Sequence, residues 1–375
     1  MHLFAQKRNP LALLMSILTL TMVLAACGSS AGNTSTGSGT ASTTAGGKGC
    51  QHVGVLLPES STSPRWETKD APLLLAALKT AMPSATIDEL NAQGSAPTQQ
   101  SQAEQELTKG ACILVVAAHD SQAASAIVEK AKASNVPVIA YDRLIQDKNL
   151  NYYVSFDNVK VGELQGQFIV DHAKKGQNLV MINGSQTDNN AILFRQGALN
   201  KLQPLIDNKT LNLVYTTFTP DWVPATAQTE MEAALTKAAN KVDIAYSAND
   251  DMANTIIAAL KAQHLNGKVL VTGQDATVAG IQNILTGDQS MTVYKAITKE
   301  ATATAQLAAA ISNGTDTASM INGQTKTSDG AQIPSVLETP VVVDKTNIVS
   351  TVIADGYDTK ADICKGLPAG LGGIC

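Results

Sequence analysis

Aromatic residues are few: Phe, Tyr and Trp make up 4% of the 375 residues, and only two are Trp. A basic excess is absent, with 27 Lys plus Arg against 32 Asp plus Glu, which excludes a nucleic-acid binder with a basic face. Long apolar runs are absent but for one at the N-terminus, which excludes a polytopic membrane protein. The His residues are scattered and no Cys or His spacing suits zinc, so neither a metal nor a cofactor is expected. From residue 50 onward there is no Gly-x-Ser-x-Gly elbow, no Gly-rich phosphate loop and no Ser/His/Asp constellation, and no enzyme is expected. With 44% hydrophobic residues the chain is too apolar for disorder, and its length suits one large or two medium domains.

The N-terminus reads as an address. Lys7 and Arg8 precede an apolar stretch from Leu11 to Ala26, which is short for a membrane span. Leu24-Ala25-Ala26-Cys27 resembles the lipobox of bacterial lipoproteins, which implies a signal peptide over 1–26 and a lipid on Cys27. Residues 27–49 follow as a flexible Gly/Ser/Thr tether with nothing to bury. The expected organisation is anchor, tether and extracytoplasmic body, touching the membrane through the lipid alone.

From Cys50 onward, short apolar runs alternate with amphipathic stretches. Runs at 52–57, 112–117, 137–141, 151–156, 178–182, 211–215, 242–246, 268–272 and 291–294 predict strands. Helical patterns such as 71–81, 97–109, 121–133, 159–174, 251–263 and 297–312 lie between them. The runs are Val/Ile-rich and unalternated, as strands buried on both faces are. Strand and helix repeated in this way predict an α/β fold of two doubly wound parallel-sheet lobes.

Nearly every run ends in a side chain able to bind something polar. His119-Asp120, Asp142-Arg143, Asp188-Asn189-Asn190, Asp221-Trp222, Asn249-Asp250-Asp251, Asp275 and Lys295 all follow strands. Ligands of open α/β sheets bind outside the carboxyl ends of the strands, so facing sheets would bring these groups to one crevice. Any single Asp or Asn here also suits a helix N-cap, but Arg143 and Lys295 do not. Trp66 and Trp222 sit among Pro and charged residues instead of inside apolar runs. Indoles beside carboxylates, amides and guanidinium groups suit a pyranose, whose C–H faces pack on rings and whose hydroxyls take bidentate hydrogen bonds. A glycosidase would need a carboxylic acid among Asp142, Asp188 and Asp275, yet each lies beside a cation or amide expected to hold it ionised.

Four Cys remain after Cys27, an even number that outside the cytosol suggests disulfides, with three possible connectivities. Cys50 and Cys112 precede the first and third strands, which are neighbours in a sheet ordered 2-1-3, so they are expected to pair. Cys364 and Cys375 bracket a Gly-rich stretch and are expected to pair with each other.

The body resembles the periplasmic sugar-binding proteins of ABC transporters, and within them the xylose binders. The resemblance rests on Arg65-Trp66, Tyr141-Asp-Arg143, Ser155-Phe-Asp-Asn158, Asp188-Asn-Asn190, Asp221-Trp222, Asn249-Asp250, Gly273-Gln-Asp-Ala276 and Thr292-Val-Tyr-Lys295. It implies a type I periplasmic binding protein fold and sugar contacts from Arg65, Trp66, Asp142, Arg143, Asp188, Asn190, Trp222, Asn249, Asp275 and Lys295. Expected lobes are 50–156 plus 296–332 and 157–295 plus 333–357, hinged at three crossovers near 156, 295 and 333. The implied partners of this monomer are a monosaccharide, D-xylose before others, and an ABC permease. The alternative is a sensor of xylose, glucose or a related aldopyranose that feeds a signalling partner. The family pattern is departed from at Val116-Ala-Ala-His-Asp120, and the tail 358–375 goes beyond it.

Overall fold

The computed structural model describes residues 46–375, so the expected signal peptide, Cys27 and nearly all of the tether lie outside the described residues. In chain order the body opens with β1 (His52–Leu57), α1 (Ala71–Ala81), β2 (Thr86–Asn91), α2 (Ala96–Lys109), β3 (Ile113–Val116), α3 (Ser125–Ala133), β4 (Val138–Tyr141) and β5 (Tyr152–Phe156). It continues with α4 (Asn158–His172), β6 (Gln177–Asn183), α5 (Asn189–Asp207), β7 (Leu211–Phe218), α6 (Pro224–Lys237), β8 (Ile244–Ser247), α7 (Asp250–Ala262) and β9 (Leu270–Val271). The remaining elements are α8 (Val278–Thr286), β10 (Thr292–Tyr294), α9 (Ile297–Asn313), β11 (Gly323–Lys326), β12 (Gln332–Glu338), β13 (Val341–Val343) and α10 (Lys360–Cys364).

One sheet has seven strands in the order β11-β12-β5-β4-β3-β1-β2, and a second has four in the order β7-β6-β8-β9. Within both, every pair is parallel except β11 with β12. β10 pairs antiparallel with β13, and its Val293 makes an isolated parallel bridge to Gln274, just past β9. The unalternated run in β1 has the expected cause. Val53, Val55 and Leu57 pack with α1 and α9 on one face, while Leu56 packs with residues of α2 and α3 on the other.

All nine apolar runs hold a strand, although that at 268–272 yields only Leu270–Val271. β2, β11, β12 and β13 lie outside those runs. β2 reads Thr-Ile-Asp-Glu-Leu-Asn and is an edge strand with no fully buried residue, so no continuous apolar signal was required of it. β12 contains Pro334, one residue before its ladder with β5 begins. Because Ser335 to Glu338 pair with Tyr153 to Phe156, the last passage between sheets comes after Glu338 and not near 333.

Both expected disulfides are formed. Cys50 and Cys112 have Cα atoms 5.4 Å apart, and β2-β1-β3 is the local strand order. Cys364 and Cys375 have Cα atoms 5.2 Å apart. They close a tail whose Ile363 and Ile374 pack with Ile281, Ile284 and Leu285 of α8. At the start of this tail, Lys69 donates to the Tyr357 carbonyl and, at 2.7 Å, to Asp358 Oδ1.

Candidate functional site

The ten expected contact residues line a single pocket, together with Ser63, Phe194 and Gln274. They reach it from the carboxyl ends of strands in both sheets, as open α/β architecture predicts. Three of them hold left-handed backbone that non-glycine residues seldom adopt: Asp142 at φ 58°, Trp222 at φ 58° and Asp275 at φ 94°. The surroundings enforce it at Asp142, whose carbonyl accepts from Tyr153 Oη at 2.8 Å, Ser155 Oγ at 2.7 Å and Asn190 Nδ2 at 2.9 Å.

Arg65 follows β1 and is clamped by Asp70, which takes its Nε and Nη2 at 2.8 Å each and also accepts from Tyr141 Oη. From there the guanidinium meets Asp142 at 3.1 Å and Asp275 at 3.4 Å. Lys295 meets the same two carboxylates at 3.3 and 3.2 Å. The groups after β1 and β4 are thereby joined to those after β9 and β10 by two ionic contacts, Arg65 with Asp275 and Lys295 with Asp142.

Asp188 is the hub of the other side. Its Oδ1 caps α5 by accepting from the Asn190 N–H, and its Oδ2 receives Trp222 Nε1 at 3.1 Å and lies 2.9 Å from Arg143 Nε. Asn190 Nδ2 donates to Asp142 Oδ1 at 3.1 Å, and its Oδ1 accepts from Asn158. Asn249 caps α7 through the Met252 N–H. The capping role of Asp188 and Asn249 and their place in the cavity therefore coexist. Both indoles are buried at the cavity wall. Trp66 has the Arg65 and Arg143 guanidinium carbons 4.6 and 5.0 Å from its ring centre. Trp222 lies on Gly184, where a Cβ would sit 2.0 Å from the indole Cη2.

The electrostatics separate the carboxylates. Burial alone would raise Asp142, but Lys295, Arg65 and Arg143 hold it well below the usual carboxylate range. Burial and the repulsion of Arg65 would lower Lys295, but Asp142, Asp275 and Glu300 together raise it. At Asp188 burial outweighs Arg143 and pushes the carboxyl up, so the expectation that a neighbouring cation holds it down does not describe it. Both of its oxygens nonetheless face N–H groups, which leaves it an acceptor without a free oxygen to act as an acid. Ordered donors and acceptors around one pocket suit the binding of a polar ligand.

Ser63, Phe194 and Gln274 were not singled out as contacts, although Gln274 lies within the quoted Gly273-Gln-Asp-Ala276. Asp70 carried no signal, because its role depends on the turn Trp66–Asp70 folding it back on Arg65. His119 is half-buried beside Arg143, and burial followed by that charge lowers its imidazole. It does not line the cavity.

Residues 53–316 match the periplasmic binding protein domain family. Over 274 residues the chain is 41% identical to the D-xylose-binding periplasmic protein of Escherichia coli, covering 73% of this chain and 82% of that one. It is 37% identical over 292 residues to the multiple sugar-binding periplasmic receptor ChvE of Rhizobium radiobacter, covering 72% of this chain and 80% of that one. Among solved structures, a carbohydrate transporter solute binding protein from Chloroflexus aurantiacus in complex with D-glucose superposes with a TM-score of 0.76 at 32% identity. That superposition covers 83% of this chain and 98% of the other.

Proposed function

The chain belongs to the periplasmic binding protein family, a family of binders and not of enzymes, and from that premise we propose that it captures a monosaccharide, D-xylose before others, between two lobes and delivers it to an ABC importer. The observation that carries this reading is the convergence of Arg65, Arg143, Lys295, Asp142, Asp188, Asp275 and both indoles on one polar pocket. Such a set supplies paired acceptors and donors for ring hydroxyls and apolar planes for the ring itself. D-Xylose is favoured because the relative at 41% identity is a D-xylose-binding protein. A hexose adds one hydroxymethyl group, worth only about 1–3 kcal/mol unless it clashes.

On this reading Arg65, Trp66, Asp142, Arg143, Asp188, Asn190, Trp222, Asn249, Asp275 and Lys295 contact the sugar. The protein acts as a monomer, held to the membrane by a lipid on Cys27 with residues 28–49 as a tether. Its lobes are 50–156 plus 296–338 and 157–295 plus 339–357, and they close about crossings near 156, 295 and 339. A sensing role for the same cleft is supported by the likeness to a sugar-binding receptor.

Calorimetric titration with D-xylose, D-glucose, D-ribose and L-arabinose tests the ligand, and intrinsic fluorescence follows the two indoles. Saturable binding with D-xylose tightest is the expected result. A flat response to every sugar overturns the proposal, and tighter D-glucose binding overturns the xylose assignment.

A further inference from the structure

A second cluster of ionisable side chains lies on the first sheet, away from the sugar cavity. His52 is the first residue of β1, Asp88 lies in β2 and Glu106 in the last turn of α2. His52 Nε2 stands 3.0 Å from Glu106 Oε2 and 3.4 Å from Asp88 Oδ2, and one donor atom from each residue lies within 4.8 Å of the other two. The backbone explains the approach. His52 and Gly54 share a face of β1, and a Cβ on Gly54 would come within 3.1 Å of Glu106 Cγ. Glycine there lets the carboxylate lie down against the sheet beside the imidazole.

Glu106 is fully buried, and its two oxygens are treated differently. Oε1 accepts from Lys109 Nζ at 2.9 Å, whereas Oε2 and His52 Nε2 both lack a hydrogen-bond partner despite their short separation. A buried carboxylate oxygen without a donor is costly and points to a missing partner. The two carboxylates outnumber the one Lys109 ammonium beside them, so a cation is the partner that fits.

The geometry points to a divalent transition-metal site, of zinc type, at His52 Nε2, Asp88 Oδ2 and Glu106 Oε2. One imidazole nitrogen with two carboxylate oxygens is a donor set for zinc and its neighbours, while magnesium and calcium take oxygen almost exclusively. Zinc–ligand bonds of about 2.0–2.1 Å set tetrahedral ligand atoms about 3.3 Å apart, and the two spacings to His52 straddle that distance. Water takes the fourth position. Lys109 holds the other Glu106 oxygen at 2.9 Å and competes for Asp88 Oδ2 at 3.4 Å, but its side chain is 42% exposed and can swing into solvent when a dication enters. The metal bolts α2 to β1 and the edge strand β2 without touching a sugar contact, so it acts on stability and not on ligand affinity.

Thermal unfolding of the full-length protein with zinc chloride, against EDTA and magnesium chloride, tests this. Zinc raises the Tm and magnesium does not. At about 100 times its Kd zinc multiplies the folded-to-unfolded ratio about a hundredfold. Lys109→Met tightens zinc binding by calorimetry about tenfold, the effect expected of removing a like charge at this range. Asp88→Asn, at a half-exposed position that tolerates the change, abolishes the Tm rise while leaving every histidine in place, and His52→Gln does the same. The site is refuted if neither the parent nor Lys109→Met responds to zinc, or if Asp88→Asn retains the full response.

Discussion

The indole Nε1 of Trp222 donates to Asp188 Oδ2 at 3.1 Å, and the same oxygen lies 2.9 Å from Arg143 Nε. One buried carboxylate thus holds an aromatic plane and a guanidinium in register. Asp188→Ala leaves two buried N–H groups unpaired and is expected to cost about 3 kcal/mol in stability, with a shift in tryptophan emission. Asp188→Asn keeps one acceptor oxygen, enough for Trp222 or the α5 cap but not both, and should lose less stability than Asp188→Ala. Denaturant titration and fluorescence of the two variants check this.

Arg143→Ala removes the bidentate donor that the cavity offers between Trp66 and Asp188. Sugar affinity measured by calorimetry should fall by roughly 2–4 kcal/mol with the fold intact by circular dichroism. Unchanged affinity would place the sugar elsewhere.

Gly184 supports Trp222 by having no side chain. In Gly184→Ala the added methyl would sit 2.0 Å from the indole, so the ring must leave its position. A stability loss of about 1–3 kcal/mol is expected, along with an altered fluorescence response to sugar.

The two disulfides should differ in worth. The Cys50–Cys112 link spans 62 residues and Cys364–Cys375 spans 11. Loop-closure entropy gives about 4 kcal/mol for the first and about 3 kcal/mol for the second. Paired Cys→Ser variants, compared by denaturant unfolding, should rank in that order, and the reverse order would mean that strand pairing already constrains the unfolded chain.

Burial, aided by Asp275, raises the Asp251 carboxyl to about 7, while Ser63 Oγ reaches it at 3.5 Å. A folded-state value above the unfolded one stabilises the protein fully at pH below about 4. That contribution is lost as pH rises toward about 7. The slope is at most about 1.4 kcal/mol per pH unit. Asp251→Asn should flatten the decline of Tm over this window, and an unchanged profile would assign it to other groups.

Much of the architecture was readable because strands buried on both faces need continuous apolar runs. Every such run contained a strand. The edge strand β2 and the antiparallel β11–β12 pair were not readable, since half-exposed strands impose no such pattern. Candidate contacts were readable for a related reason: polar residues that follow buried strands must emerge at one rim of a parallel sheet. The disulfide between Cys50 and Cys112 followed from the same strand order.

Composition and order along the chain could therefore settle which side chains stand at the rim, because strand period and burial are local properties. They could not settle which of those side chains touch. The clamp of Asp70 on Arg65, the meeting of Asp142 with Lys295 and the closeness of His52, Asp88 and Glu106 join residues far apart in the chain or depend on an irregular turn. Such contacts arise only when helices and sheets pack, since their distances are set by backbone approach and not by spacing in sequence.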